Sequence, residues 1–465
     1  MNFIDALQSE DTYTENGMVT NSSSLNECVN LFFTIGAMRK QDKERLISTF
    51  SKAFNENPLS ALKILFWVRD VRGGAGERQI FRDIIKYLAE NHPSVVQKNI
   101  QAIPHFGRWD DLSVLFGTKL EAEATRMFVS GLIVENGLCA KWIPRKGVIF
   151  NAIRKALNTT PKDLRKLLVN ISNTVEQKMC SNQWTNVEYA KTPSLAMGRY
   201  TKAFAKHDNT GFTEYLEKLK KGETKVNAGA VYPYNIVQTM EQGSWELANE
   251  QWKVLPNFME GTTERILPVV DVSGSMSSKV SGSVSCLAVA VSLGLYISER
   301  NEGEFKDSFI TFSESPKLEK VSGTLKERYY EMIATDWGMS TNLEKVFQLI
   351  LNQAIKHSVS PEDMPSKILI MSDMEFNQAS NHSESAIQMI RRIYEESGYS
   401  LPQVIFWNIQ SRNKNFPVRC NESGTALISG LSPSIVKSVL GGKEMTPVSI
   451  MNETINSDRY SIIEI

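Results

Sequence analysis

Residues 266–276 read Ile-Leu-Pro-Val-Val-Asp-Val-Ser-Gly-Ser-Met, an apolar run that ends in Asp271-x-Ser273-x-Ser275. An acid and two hydroxyls released onto a loop at the carboxyl end of a buried strand are the hard oxygen ligands that a divalent cation prefers. Downstream, Gly338-Met339-Ser340-Thr341-Asn342 opens a helix pattern, and Lys367-Ile-Leu-Ile-Met-Ser-Asp373 is a second apolar strand ending in an acid. Each piece also has a plainer use. Thr341-x-x-Glu344 is a capping box, Asp373 is equally suited to cap a turn, and Ser-Gly-Ser is common in loops.

No set of residues for catalysis stands beside these. His92, His105, His207, His357 and His382 fall in unrelated places, Cys139 has no evident base, and neither G-x-S-x-G nor H-E-x-x-H occurs. Gly73-Gly74-x-Gly76 lacks the preceding strand and the Lys-Ser/Thr of a phosphate loop. The expectation is a protein that binds, not an enzyme.

Two kinds of element must position these residues. Up to about residue 260 the pattern is helical, with helices expected at 42–54, 58–68, 77–91, 93–103, 119–134, 147–157 and 161–179. Thr160-Pro161-Lys162-Asp163 is one clear start, and Asn91-His92-Pro93-Ser94 stops one helix and begins the next. Paired helices with short polar joints and no strand alternation suggest a stacked α-helical repeat of HEAT type, with ring closure left open. From residue 264 strands alternate with helices. Strands are expected at 265–270, 308–312, 367–372, 403–409 and 425–428, and helices at 282–299, 325–334, 342–357, 384–396 and 433–440. That order means an α/β, doubly wound, largely parallel sheet. The boundary falls at 256–263, giving regions 1–260 and 261–465, and a fragment beginning near Gly261 is expected to fold alone.

A net charge of zero, with 52 basic and 52 acidic residues, hides an asymmetry. Residues 58–206 carry 23 Lys and Arg against 12 Asp and Glu, so the remainder is acidic at 29 against 40. The densest part, 141–206, has 13 basic and 3 acidic residues, with Trp142, Trp184, Tyr189 and Tyr200 interleaved. Phosphate neutralisation with aromatic stacking on unpaired bases is how proteins hold single-stranded RNA. The candidate RNA-binding residues are Arg72, Arg108, Lys141, Arg145, Lys146, Lys162, Arg165, Lys166, Trp184, Lys191, Arg199, Tyr200 and Lys202. For Arg69, Arg72, Arg78 and Arg108 an RNA-facing surface and salt bridges to Asp70, Glu77, Asp110 and Asp111 are even alternatives. Five scattered cysteines, no C-x-x-C, no basic apolar leader and no long apolar run fit a cytoplasmic protein with reduced thiols and no membrane contact.

Asp271, Ser273, Ser275, Thr341 and Asp373, in that order, resemble the metal-ion-dependent adhesion site of a von Willebrand factor A domain. The resemblance implies Mg2+, or another divalent cation such as Mn2+ or Ca2+. Ser273, Ser275 and Thr341 would then be direct ligands, and Asp271 and Asp373 would often act through water. The ion would stay electropositive enough to accept an acid from a protein partner. Arg69-Asp70-Val71-Arg72-Gly73-Gly74-x-Gly76-Glu77-Arg78, Gly107-Arg108-Trp109-Asp110-Asp111-Leu112 and Pro193-Ser194-Leu195-Ala196-Met197-x-Arg199-Tyr200 resemble a family of viral and plant proteins. That family has a TROVE-like helical region followed by an A domain. Its architecture is similar to that of the Ro autoantigen, a ring of helical repeats that binds small non-coding RNAs. The resemblance implies RNA as a partner, with an assembly scaffold that lacks RNA as the alternative.

Overall fold

The computed structural model describes residues 11–227, 231–281, 284–312, 315–335, 341–377, 386–440 and 445–465. Residues 338–340, the expected helix starts at 282 and 384, and His382 lie outside the described residues. The chain forms two compact units that interleave along the sequence. One comprises the described residues of Met1–Ile64, Tyr232–Gln238 and Asn257–Ser457, the other those of Leu65–Val231, Thr239–Pro256 and Asp458–Ile465. The single division expected at 260/261 is therefore not how the compact units divide.

The first unit is built on ten short strands. They are β1 (Asp11–Tyr13), β2 (Val19–Asn21), β3 (Ile266–Val270), β4 (Lys279–Ser281), β5 (Val284–Ser285), β6 (Ser308–Thr311), β7 (Leu318–Lys320), β8 (Lys367–Ser372), β9 (Gln403–Asn408) and β10 (Thr425–Ser429). Six make one sheet in the order β10-β9-β8-β3-β6-β7, and β1 with β2 and β4 with β5 form separate antiparallel pairs. All pairings in the large sheet are parallel except that of the edge strand β7. Every residue of β3 and β8 is buried, which is the burial a parallel sheet covered on both faces imposes. After β3 the chain goes to β6 on one side, then returns to β8 on the other. The order reverses there, so the loops leaving β3 and β8 open a crevice at the carboxyl ends of the strands.

The sequence pattern placed residues 1–260 wholly in the helical region. The hairpin β1–β2 and the helix Glu27–Ile35 instead belong to the α/β unit, and the hairpin corrects the expectation of no strands in this region. The helix packs along β10. Ser429 Oγ donates to Phe32 O at 2.7 Å and accepts from Gly36 N at 3.1 Å, while Asn408 donates to Phe33 O at 3.3 Å. The approach is close enough to need glycine: a Cβ at Gly36 would meet Ser429 O at 2.6 Å. The helix buries eight of its nine residues and so carries no amphipathic stripe, which is why its period was silent in the sequence.

In the helical unit, most expected helices form within a few residues of their expected bounds. The stretch 161–179 is two helices, Pro161–Ser172 and Val175–Cys180, because Asn173 turns left-handed (φ 37°) and Thr174 starts a new capping box with Gln177. The stretch 93–103 likewise splits into Pro93–Lys98 and Ala102–Phe106. Buried carboxylates hold the unit together. Asp111, fully buried, accepts from Arg69 Nε at 2.7 Å, Arg82 Nε at 2.6 Å and Arg108 N at 2.9 Å. Asp70, also fully buried, accepts from Arg459 Nε and Nη2 and from Tyr460 Oη at 3.0 Å. The tail Asp458–Ile465 is thus part of the helical unit, with Tyr460 stacked on Phe106 at 5.4 Å.

All five cysteines are free. Among the described residues no helix is long and apolar enough to cross a membrane.

A fragment of residues 261–465 lacks the helix that covers β10 and is expected to be insoluble, whereas adding residues 11–64 in trans restores solubility; a soluble, monomeric fragment on gel filtration would contradict this. In the helical unit, burial alone would raise the Asp70 pKa, but the Arg459 hydrogen bonds outweigh it and hold the carboxyl below its ordinary range. The pair's stabilisation is therefore complete above roughly pH 4 and fades as pH falls through the lowered value. Arg459→Ala leaves a buried charge without its partner and should cost about 3 kcal/mol in urea unfolding of the helical unit at pH 7.

Candidate metal site and basic surface

The β3 and β8 ends meet through Asp271. Its backbone N donates to Met371 O at 3.0 Å, its Oδ1 accepts from Ser273 N at 2.9 Å, and its Oδ2 accepts from Ser372 Oγ at 2.5 Å. The Ser273 and Ser275 hydroxyls lie 2.9 Å apart, and the Ser273 side chain also bonds the Asp271 carboxyl. Thr341 joins the same loop: its hydroxyl donates to Glu375 O at 2.7 Å, and lies 3.1 Å from Asn377 Oδ1. Asp373, buried, accepts from Arg412 Nη2 and, at 3.4 Å, from Glu375 N. The three segments bearing the five expected ligands therefore converge at the crevice.

Electrostatics mark the same place. Burial pushes the Asp271 carboxyl above its ordinary range, and the neighbouring Asp373 charge pushes it further, against hydrogen bonds from Ser372 and Ser273. Two buried carboxylates side by side call for positive charge. Among the described residues no group of three or more His, Cys, Asp or Glu side chains is placed to hold a metal. A cation here would rest instead on hydroxyl oxygens backed by two carboxylates, a donor set that suits Mg2+ and not a soft metal. The chemistry of this donor set fits the ion that the resemblance implied.

Four contributors to this site were not found in the sequence. Ser372 orients Asp271, and its Oγ also accepts from Met374 N at 3.0 Å. Glu375 accepts from Asn413 at 2.9 Å, from Asn415 at 2.8 Å and from Glu15 N at 2.7 Å. Asn377 holds Thr341, and Arg412 pairs with Asp373. Only Ser372 and Glu375 had a signal, their places beside Asp373. Arg412 lies beyond β9, and nothing near it in the sequence announces the crevice.

The basic candidates separate into two groups. Five are engaged by the fold itself. Arg108 pairs with Asp110 at 2.8 Å and stacks over Trp142 at 3.9 Å, and Lys141 lies 3.6 Å from Glu176. Arg145 donates to the carbonyls of Ala140 and Ile143, Arg165 to Arg145 O, and Lys191 pairs with Glu188. Of the even alternatives, salt bridges hold for Arg69 and Arg108. Of the aromatic candidates, Trp184 lies flat on His207 at 4.4 Å and Tyr200 packs on Phe204, both half-buried against the Val187–Leu247 core cluster. The second group comprises Arg72, Lys146, Lys162, Lys166, Arg199 and Lys202, which are exposed and make no ion pair among the described residues.

A family described as Domain of unknown function (DUF2828) matches residues 14–127 and 145–266, more than half of the 465 residues. A second, described as Domain of unknown function (DUF7788), matches residues 265–460. The chain is 30% identical over 506 aligned positions to Uncharacterized protein L728 of Acanthamoeba polyphaga mimivirus, covering 95% of this chain and 86% of that protein. Among solved structures it is similar to the RO (RSR) protein of Deinococcus radiodurans, with 14% identity and a TM-score of 0.38, covering 93% of this chain and 99% of that one.

Asp271→Ala or Asp373→Ala should reduce Mg2+ affinity about 10- to 100-fold, the typical cost of losing an outer-shell partner. The helical unit should keep its circular dichroism. Calorimetry showing unchanged Mg2+ affinity in both variants would remove the site.

Proposed function

The chain belongs to the family described as Domain of unknown function (DUF2828), and from that premise we propose that it is a non-enzymatic binding protein with two working surfaces. In this reading the α/β unit is a von Willebrand A-type domain holding Mg2+, Mn2+ or Ca2+ at Asp271, Ser273, Ser275, Thr341 and Asp373. The helical unit is a TROVE-like, HEAT-type repeat region that binds RNA. The single observation that carries the reading is the convergence of two buried carboxylates and two adjacent serine hydroxyls at the reversal of strand order. An ion with so few direct carboxylates stays electropositive and captures an acidic side chain from a partner. A cytoplasmic location belongs to the same reading, supported by five free thiols.

RNA binding has its own support. Six exposed cations of the basic region make no ion pair among the described residues, although acids elsewhere in that unit neutralise its structural arginines. Exposed, unpaired Lys and Arg suit phosphates. With Trp184 and Tyr200 engaged in the core cluster, recognition would rest on the backbone and be indifferent to base sequence.

Lys162→Glu, Lys166→Glu, Arg199→Glu and Lys202→Glu together should weaken binding to any single-stranded RNA and flatten its salt dependence, by roughly 0.7 in slope for each phosphate that is no longer neutralised. Trp184→Ala should instead lower the unfolding midpoint of the helical unit. Absence of RNA affinity in the wild type at low salt would leave the protein-scaffold alternative, with the metal capturing an acidic partner.

A further inference from the structure

Arg412 sits where the cation site is most in need of charge. Its guanidinium donates one Nη2 hydrogen bond to Asp373, while its buried Nε has no partner among the described residues. The Glu15 and Glu375 carboxylates act on it electrostatically as well. Its backbone is held firmly. Arg45 donates to the carbonyls of Ser411 (3.3 Å), Arg412 and Asn413 (3.0 Å), and Ser411 N donates to Ala37 O at 3.0 Å. The amides of Asn413 and Asn415 bind Glu375. A fixed loop therefore delivers a side chain attached at the site by a single-toothed contact. That is a weak grip for a group able to make two parallel bonds to a carboxylate.

We propose that Arg412 is a built-in counterion that competes with the divalent cation for Asp373, so that cation binding and the Arg412–Asp373 pair exclude one another. The inference rests on the metal site proposed above. Asp373 binds the Arg412 guanidinium and acts electrostatically on Asp271, which is bonded by Ser273, so a doubly charged ion drawn to the two acids repels the guanidinium. When the ion enters, Arg412 leaves Asp373 and swings outward on its loop. Without the ion, Arg412 keeps the buried acid neutralised and the crevice folded. A competitor bound to the metal-free form lowers the apparent metal affinity by the fraction of molecules in which it is engaged.

The test uses the full chain and Mn2+ or Mg2+ alone as probe. In calorimetry, Arg412→Gln should bind the ion about tenfold or more tightly than wild type, because the competitor is gone while the polar volume remains. Arg412→Lys should stay near wild type, and Asp373→Asn should bind poorly. A second measurement needs no variant: phenylglyoxal modification of Arg412 in the wild type, read by peptide mass spectrometry, should accelerate at saturating Mg2+. Equal ion affinity in wild type and Arg412→Gln, or a modification rate indifferent to Mg2+, overturns the competition and leaves the metal site standing. Failure of every variant, wild type included, to bind either ion overturns the metal site and this inference with it.

Discussion

Asp271 and Asp373 end adjacent central strands, and burying both there sets the terms for the rest of the α/β unit. A carboxylate removed from water must find hydrogen bonds and positive charge or give up its ionisation. The surrounding loops meet that demand in layers. Ser372 and the Ser273 amide bind Asp271, Arg412 neutralises Asp373, and Asn413 and Asn415 hold Glu375 beside it. The N-terminal segment closes the arrangement: Glu15 N and Asn16 bind Glu375, and Thr14 donates to Phe376 O at 2.6 Å. Residues at the start of the sequence are thereby part of a site whose acids lie some 360 positions later.

The helical unit solves the same problem with arginine. Asp111 and Asp70 are fully buried, and their partners come from Arg69 and Arg82 in one case and from the C-terminal Arg459 and Tyr460 in the other. Breaking such a pair is costly because the acid left behind has no water to turn to. Basic residues of this region therefore have two fates. Those that hold a buried acid or a carbonyl are structural, and those left exposed are available to a polyanion. Net charge over the stretch counts both alike.

What the sequence by itself determined is what local chemistry determines. Apolar strands buried on both faces, the cap at Thr160, and acids directly after β3 and β8 are readable because each depends on neighbours within a few residues, whereas the helix expected to be capped by Thr341 is capped by Asn342. The order of these elements implied the parallel sheet; that Asp271, Ser273, Ser275, Thr341 and Asp373 belong to one site is what the resemblance to the A-domain metal site implied.

The tertiary structure decided what depends on distant partners. The Glu27–Ile35 helix is buried almost all round, so it carried no period to show that it packs along β10. The tail Asp458–Ile465 is short and has no motif, yet it supplies the counter-charge for Asp70. Arg412 is an ordinary loop residue until the fold sets it against Asp373. In each case the residue type permits several roles, and the choice among them is made by burial and by a partner tens to hundreds of positions away, which no local pattern encodes.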